Sequence, residues 1–494
     1  MIKILLLVLF FSTMIIVGIY SRKHATNVND FVLGGRDVGP WLTAFAYGTS
    51  YFSAVVFVGY AGQFGWKYGL SATWIGLGNA FIGSLLAWKV LGKKTRIMTH
   101  HLNVKTMPDF FSKRYDSKKI KIAASAITFI FLIPYTSSVY NGLSRLFGMA
   151  FNIPYWACVV GMALLTCIYV TMGGYMATAI NDLIQGIIMI FGIIMVIFAV
   201  VNGQGGFSEA IKSLSSIPSD LPNTIGETGL FTSIFGPEPL NLLGVVILTS
   251  LGTWGLPQMV HKFYAIKDDK AIKIGTTVST VFAIIVSGGC YLLGGFGRLF
   301  DSPVLYNGSK IMYDAIMPYM LSSLSDFLIG IIVILVLSAS MSTLSALVLT
   351  SSSTLTLDFI KDTLFKNMNE KTQIKVMRIL IVFFIILSVA LALDPTVFIA
   401  QLMSVSWGAL AGAFLAPFMY GLYWKGVTKA AVWSSFTIGI GITVSNLIFK
   451  YIASPINAGA ISLIASLIIV PVVSMVTPKI SSEKLDDVFE CFEE

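Results

Sequence analysis

Asp182 is the residue least expected where it stands. It lies in YMATAINDLIQGIIMI, near the start of a long apolar run, with Gln185 about one helical turn further on. A carboxylate inside a bilayer costs about 2.5–3.5 kcal/mol on insertion scales, which makes Asp182 a candidate ligand for a cation. Its place near a helix start also suits a capping or packing role. A second group of candidates is LVLSASMSTLSALVLTSSSTLTLDF, where Ser338, Ser342 and Ser345 recur near helical spacing and Thr343 and Thr354 add hydroxyls. Oxygen is what a hard alkali cation takes as ligand. Serines so spaced also serve as hydrogen-bonding glue between helices. Two further apolar runs are interrupted: AFAYGTSYFSAVVF by Gly48, Thr49, Ser50 and Ser53, and LTSLGTWGLPQMV by Gly252, Gly255 and Pro257. Interruptions of this kind free backbone polar groups at membrane depth, where secondary transporters bind ions and solutes. Small residues there also permit close helix packing.

The elements that position these residues are membrane spans. Of 494 residues, 56% are hydrophobic and 12% charged, where soluble domains carry about a quarter charged residues. That excludes a soluble protein. Windows of about 19 residues pick out 2 to 20 and then roughly 41 to 64, 71 to 92, 121 to 149, 154 to 172, 178 to 201, 239 to 262, 273 to 297, 323 to 357, 375 to 393, 395 to 424, 428 to 449 and 457 to 477. This predicts an all-α polytopic membrane protein with about thirteen spans. The first window is too long for a signal-peptide core and no small-residue cleavage site follows it.

Lys and Arg gather in alternate loops. Lys93, Lys94, Arg96, Lys105, Lys113, Arg114, Lys118, Lys119 and Lys121 follow the third span, Lys262, Lys267, Lys270 and Lys273 the seventh, and Lys361, Lys366, Lys371 and Lys375 the ninth. About 24 of the 33 basic residues fall on that side and about six on the other, so the positive-inside rule puts the N-terminus outside and the C-terminus in the cytoplasm. The outer loop of about 202 to 238 contains FSEAIKSL, a short amphipathic stretch suited to a surface helix. The interrupted second and seventh spans lie five apart. An odd offset reverses orientation, as two inverted five-helix halves require.

Other chemistry has little support. The net charge of +9 sits in short loops without interleaved aromatics, so nucleic acid is not expected as a partner. Cys158, Cys167 and Cys290 lie in apolar stretches and Cys491 in the acidic tail, giving no disulfide framework. His24, His100, His101 and His261 form no metal-ligand spacing, and no Walker-type loop is present, so neither an enzyme nor an organic or metal cofactor is predicted. Asp394, before Pro395, reads as a turn residue. Arg36 suits either an interfacial anchor or a gating ion pair, and Lys89 and Arg145 can snorkel to opposite interfaces.

Four segments carry a specific resemblance: NDFVLGGRDVGPWLTAFA at 29 to 46, TMPDFFSKRY at 106 to 115, IYVTMGGYMATAINDLIQG at 168 to 186 and SASMSTLSALVLTSSS at 338 to 353. In type and order they resemble the sodium/solute symporter family, and within it the bacterial sodium/proline symporters. The resemblance implies a LeuT-type fold, with a ten-helix inverted-repeat core at 41–424, an extra helix and loop at 1–40, and two further helices and a tail at 425–494. It implies sodium as coupling ion, a small polar organic solute, membrane lipid as surroundings, no obligatory protein partner, and a bacterial-type inner membrane. Matched one by one, the family's sodium ligands fall on the carbonyls of Thr49, Phe52 and Ala339 and the side chains of Ser342 and Thr343. A second sodium, held in some members, would fall on Asp182 with Ser342 and Ser345. The solute pocket would be lined by Tyr51, Ser53, Tyr135, Thr253, Trp254 and Gln258.

Departures from the proline symporters bear on the solute. Where they have an acidic residue in the second span this chain has Tyr51, an adjacent tryptophan becomes Val55, and aromatic contacts become Thr249 and Thr253. Tyr135 and Pro257 match. The implied function is sodium-coupled symport by alternating access, with proline or another amino acid as one specific form of it. A membrane sensor reusing the scaffold is the alternative from another class, and the tail SEKLDDVFECFEE is too short for a signalling domain.

Overall fold

The computed structural model of the chain describes residues 2–21, 27–394 and 398–492, so His24 and Pro395 lie outside the described residues. Helices make up almost all of it. The one sheet among the described residues is a small hairpin pairing Tyr306–Asn307 with Lys310–Ile311. Ten helices are long and apolar enough to cross a membrane, or eleven with the bent pair Pro239–Gly255 and Pro257–Tyr264, against thirteen windows in the sequence. Hydropathy windows count apolar stretches, whereas helix continuity is decided by the backbone. Part of the window 41–64 and all of 71–92 fall within one run, Val55–His101, while the windows 154–172 and 178–201 fall on the two sides of a kink at Gly174, where the apolar helix Tyr155–Ile168 is too short to count as a span by itself.

Glycine conformations mark the turns inside those runs. Gly69 takes φ 63° and ψ −141°, and a Cβ there would sit 2.1 Å from the Phe231 carbonyl oxygen. Gly174 takes φ 58° and ψ −160° inside Tyr155–Gly203, a conformation open to glycine.

Burial sorts the helices into centre and rim. Ile399–Tyr423 and the hydroxyl-rich Asp326–Thr354 are almost enclosed, whereas Ile2–Ser21 lies against Tyr155–Gly203 and Asp326–Thr354 with one face open. Glu370–Ala392 exposes Ile379, Val382, Phe383 and Ile386, an apolar face that a lipid tail, not water, accommodates.

The end bearing the basic loops is tied shut. Lys121 Nζ lies 2.8 Å from Asp109, 3.4 Å from Asp358 and 2.7 Å from Asp362, and Thr106 donates to Asp358 at 2.5 Å. Arg36 donates to the Thr99 and Val104 carbonyls at 3.0 and 2.6 Å, so it clamps backbone rather than forming the gating ion pair. Arg114 is buried and donates to the Gly421 and Trp424 carbonyls, both at 2.8 Å. Burial holds its guanidinium below the usual arginine range. The tail forms the helix Ser482–Phe489, which buries Leu485, Val488 and Phe489 and lays Phe489 against Arg114. At the opposite end FSEAIKSL is helical within Phe207–Ser215, and Ala210 and Leu214 pack on Phe231 and Phe296.

Candidate ion and solute site

The first break lies between Pro40–Tyr51 and the helical turns that resume at Ala54. Phe52 is extended there, with φ −113° and ψ 111°. The Ser53 hydroxyl accepts from Val55 N–H at 3.2 Å, and its carbonyl accepts from Val56 and Phe57 at 3.0 and 3.1 Å, so Ser53 restarts the helix as a local cap. Ala54 N–H turns to Ser340 Oγ at 3.3 Å instead of continuing the ladder. The carbonyls of Thr49 and Ser50 are thereby left to face the hydroxyl-rich helix Asp326–Thr354.

Four of the five predicted sodium ligands meet at that face. Ser342 Oγ donates to the Thr49 and Ala339 carbonyls at 2.9 and 3.1 Å. Thr343 Oγ1 reaches the same two at 3.5 and 3.1 Å and the Ser50 carbonyl at 3.3 Å. Thr49, Ser342 and Thr343 are fully buried. Phe52 is the predicted ligand that, among the described residues, makes no bond to this cluster; its ring stacks on Tyr51 at 4.3 Å. The Ser50 carbonyl was missed by the sequence reading, although it is the next residue at the same break. The cluster holds five oxygens and no carboxylate. Each hydroxyl has two lone pairs and can rotate from donating to accepting a cation, and a neutral set suits a monovalent ion that has to leave again.

Asp182 faces the Thr49 side chain, beside this cluster. It lies about two turns beyond the Gly174 kink, inside a continuous helix, so it caps no helix end. Neither carboxylate oxygen has a hydrogen-bond partner among the described residues, and both are buried. Lys262 Nζ lies 3.6 Å from Oδ2. This corrects the placement of Lys262 in a loop after the seventh span: it is within Pro257–Tyr264, its side chain 3% exposed. Ser345, expected on Asp182, donates to the Ser342 carbonyl at 2.8 Å, and Gln185 Nε2 points to Met14 Sδ at 3.2 Å.

The second break runs through Gly252–Gly255 as a tight turn, with Leu256 extended and Pro257 opening the next helix at a bend of 46°. Proline at a first helical turn loses no hydrogen bond. Of the expected solute contacts, Tyr135 and Tyr51 lie against Trp407, ring centroids 5.8 and 6.3 Å away, and the Tyr135 hydroxyl faces Ser53. The Tyr51 hydroxyl, however, donates to the Thr249 carbonyl at 2.6 Å and so ties one break to the other. Thr253 donates to the Ser250 carbonyl of its own span at 2.8 Å, and Trp254 to the Ile82 carbonyl of the neighbouring helix at 3.0 Å, so both polar groups are engaged by backbone. Gln258 is buried with both amide atoms unpartnered among the described residues. Trp407 was missed; in SVSWGALAG it is the one bulky side chain in a run of small ones.

Two broken spans, one turning carbonyls released from its ladder toward a hydroxyl-rich helix inside an apolar bundle, define an ion-coupled secondary transporter of the LeuT type. Solved structures agree on the fold. A Na+-coupled sialic acid symporter in a substrate-bound outward-open state superposes with a TM-score of 0.76 at 17% identity, covering 97% of this chain and 98% of that one. Mhp1, a nucleobase-cation-symport-1 family transporter, gives 0.52 at 13% identity, over 93% and 97%. The family model described as sodium:solute symporter family matches residues 31–439, and the chain belongs to that family. The sodium/proline symporter of Salmonella typhimurium is 27% identical over 437 residues, 86% of this chain and 84% of its own. That of Staphylococcus aureus is 27% identical over 500 residues, 97% and 93%. Sodium-coupled solute symport across a membrane is therefore the activity of this chain.

Proposed function

We propose that the protein carries one small polar organic solute inward with sodium by alternating access, and that the ion is held by the Thr49, Ser50 and Ala339 carbonyls with Ser342 and Thr343. The single observation behind this is the convergence of those oxygens at the first break. Phe52, one residue into the break, would join through its carbonyl once the ion is in place. The solute sits beside Tyr135, Ser53 and Trp407, under the ring of Tyr51, with Thr253, Trp254 and Gln258 on the second broken span bounding its far side.

The basic end is the cytoplasmic face of an inner membrane, with the N-terminus outside and the C-terminus inside, on the strength of the Lys/Arg asymmetry. A run of 47 residues, Val55–His101, would be about 70 Å long as one helix, more than twice the hydrocarbon thickness. Counting it as two crossings divided near Gly69, Tyr155–Gly203 as two divided near Gly174, and Pro40–Tyr51 with the turns after it as one, supports thirteen crossings in all. Residues 41–424 form the transport core, and 1–40 and 425–494 lie outside it.

Proline or another amino acid is the specific form of the solute favoured by the relatives' names. Against proline stand Tyr51, Thr249 and Thr253, whose hydroxyls are taken up by the Thr249, Val245 and Ser250 carbonyls. Thermal unfolding of the purified protein with amino acids, sugars and monocarboxylates, each with sodium and with choline, tests the reading. A solute should stabilise in sodium and not in choline, through linkage. Stabilisation by solutes alike in both salts would overturn the coupling, and proline stabilising above all others would overturn its exclusion.

A further inference from the structure

Asp182 and Lys262 are each fully enclosed, on two different helices, and among the described residues each is the other's sole ionic partner. The ammonium also lies 5.1 Å from the centre of the Tyr175 ring, on the same helix as Asp182. A buried charge is tolerated when an opposite charge compensates it, and a carboxylate in a membrane draws whatever cation can reach it. Here the cation is part of the chain. Lys262 stands on Pro257–Tyr264, the half of the second broken span that follows the bend, while Asp182 stands on Gly174–Gly203. Ser342 and Ser345, the hydroxyls that would complete a sodium shell at Asp182, donate to the Thr49, Ala339 and Ser342 carbonyls, and among the described residues neither bonds to the carboxylate, whose neighbouring cation is Lys262.

We infer that the Lys262 ammonium is a tethered counter-ion that occupies the place of a second sodium at Asp182, so that the protein binds one sodium, at the first break, and not two. The carboxylate is available to a mobile cation when Lys262 is removed. The pair also joins the bent half of the second broken span to the neighbouring helix with a charge that travels with the protein and not with the transported ions. This rests on the sodium reading of the first break.

The test counts ions. Equilibrium binding of radiolabelled sodium to the purified full-length protein, with sodium itself as the probe and choline as the balancing salt, gives the number of sites per chain. One site is expected in the wild type, two in Lys262→Met, whose side chain has similar length and no charge, and one in Lys262→Arg. Asp182→Asn leaves the ammonium unpaired and should lower thermal stability, whereas Asp182→Asn with Lys262→Met removes both charges and should restore it with one sodium bound. Two sites in the wild type would overturn the inference, as would a folded Lys262→Met with one site. Should Lys262→Met fail to fold, the neutral double variant decides: no recovery relative to Asp182→Asn means the two charges do not compensate each other. A wild type that binds no sodium would instead remove the site at the first break on which the inference stands, and Ser342→Ala with Thr343→Ala, which should abolish the single wild-type site, identifies which of the two readings has failed.

Discussion

The two breaks interrupt their helices in opposite ways. At the first, Ser53 restarts the helix and leaves the Thr49 and Ser50 carbonyls facing outward, where Ser342 and Thr343 meet them. At the second, the chain closes on itself: Leu256 N–H donates to the Thr253 carbonyl at 3.3 Å and the Thr253 hydroxyl to Ser250. Its outer surface is packed so tightly that a Cβ on Gly255 would lie 2.7 Å from the backbone nitrogen of Leu415. An interrupted membrane helix becomes an ion site only if a neighbouring helix brings oxygen to it. Where the neighbour brings backbone and small side chains, the same interruption becomes a bend.

The largest expected effect tests the first half of that contrast. Replacing Ser342 and Thr343 with Ala removes two oxygens from a charged ligand, each worth about 1.5–3 kcal/mol. Half-activation of transport by sodium should then need at least about a hundredfold more sodium. Thr253→Ala, at the second break, should leave it near the parent value, and equal shifts in the two variants would erase the distinction.

The next effect concerns the helix against which the second break packs. Asp314, in the loop helix Tyr313–Ser322, accepts from Ile399 N–H at 3.1 Å, at the start of Ile399–Tyr423, and lies 3.8 Å from Arg145. Burial pushes its carboxyl up to about 6, against the opposing pull of Arg145 and that N–H. The folded state therefore holds this proton more tightly than the unfolded chain. Its contribution to stability is complete below the ordinary carboxylate value near 4 and is lost as pH rises through about 6, a change of about 3 kcal/mol. Asp314→Asn keeps an acceptor for Ile399 and should flatten thermal stability across that window. An unchanged slope would show that the group does not anchor this helix.

Gly255→Ala should cost about 1–3 kcal/mol by overpacking against a backbone that cannot yield. Gly48→Ala, beside the first break, meets the Phe282 ring at 2.6 Å, a side chain able to shift, and should cost less. Melting temperatures of the two variants compare them, and the reverse order would mean that the second break is the looser one. Smallest is Tyr51→Phe, which cuts the bond between the breaks and should cost about 1 kcal/mol with sodium activation unchanged. Parent-like stability with altered sodium activation would assign the hydroxyl to the ion instead.

The site was legible where composition alone limits what a segment can do. A helix of serines and threonines inside an apolar bundle has to satisfy its hydroxyls within the protein, and Gly, Ser and Pro at membrane depth mark where a ladder stops. Lys262 was not legible. A lysine after an apolar run reads as the edge of the membrane, and the bend at Pro257 together with Asp182 on another helix is what turns it inward. The Tyr51 hydroxyl was placed in the solute pocket because residue type shows what a side chain can bond, not which of several carbonyls lies in reach.

Residue order and composition by themselves determined that this chain is a membrane bundle, where its spans are interrupted, which end is basic and which helix carries the oxygens, since each follows from the cost of leaving polar groups in hydrocarbon. The tertiary structure decided which interruption faces those oxygens, which charge compensates Asp182, and which aromatic rings share a wall with Trp407. Those outcomes depend on distances between helices remote in sequence. A difference of one ångström there separates a hydrogen bond from none, and no local pattern of residues encodes it.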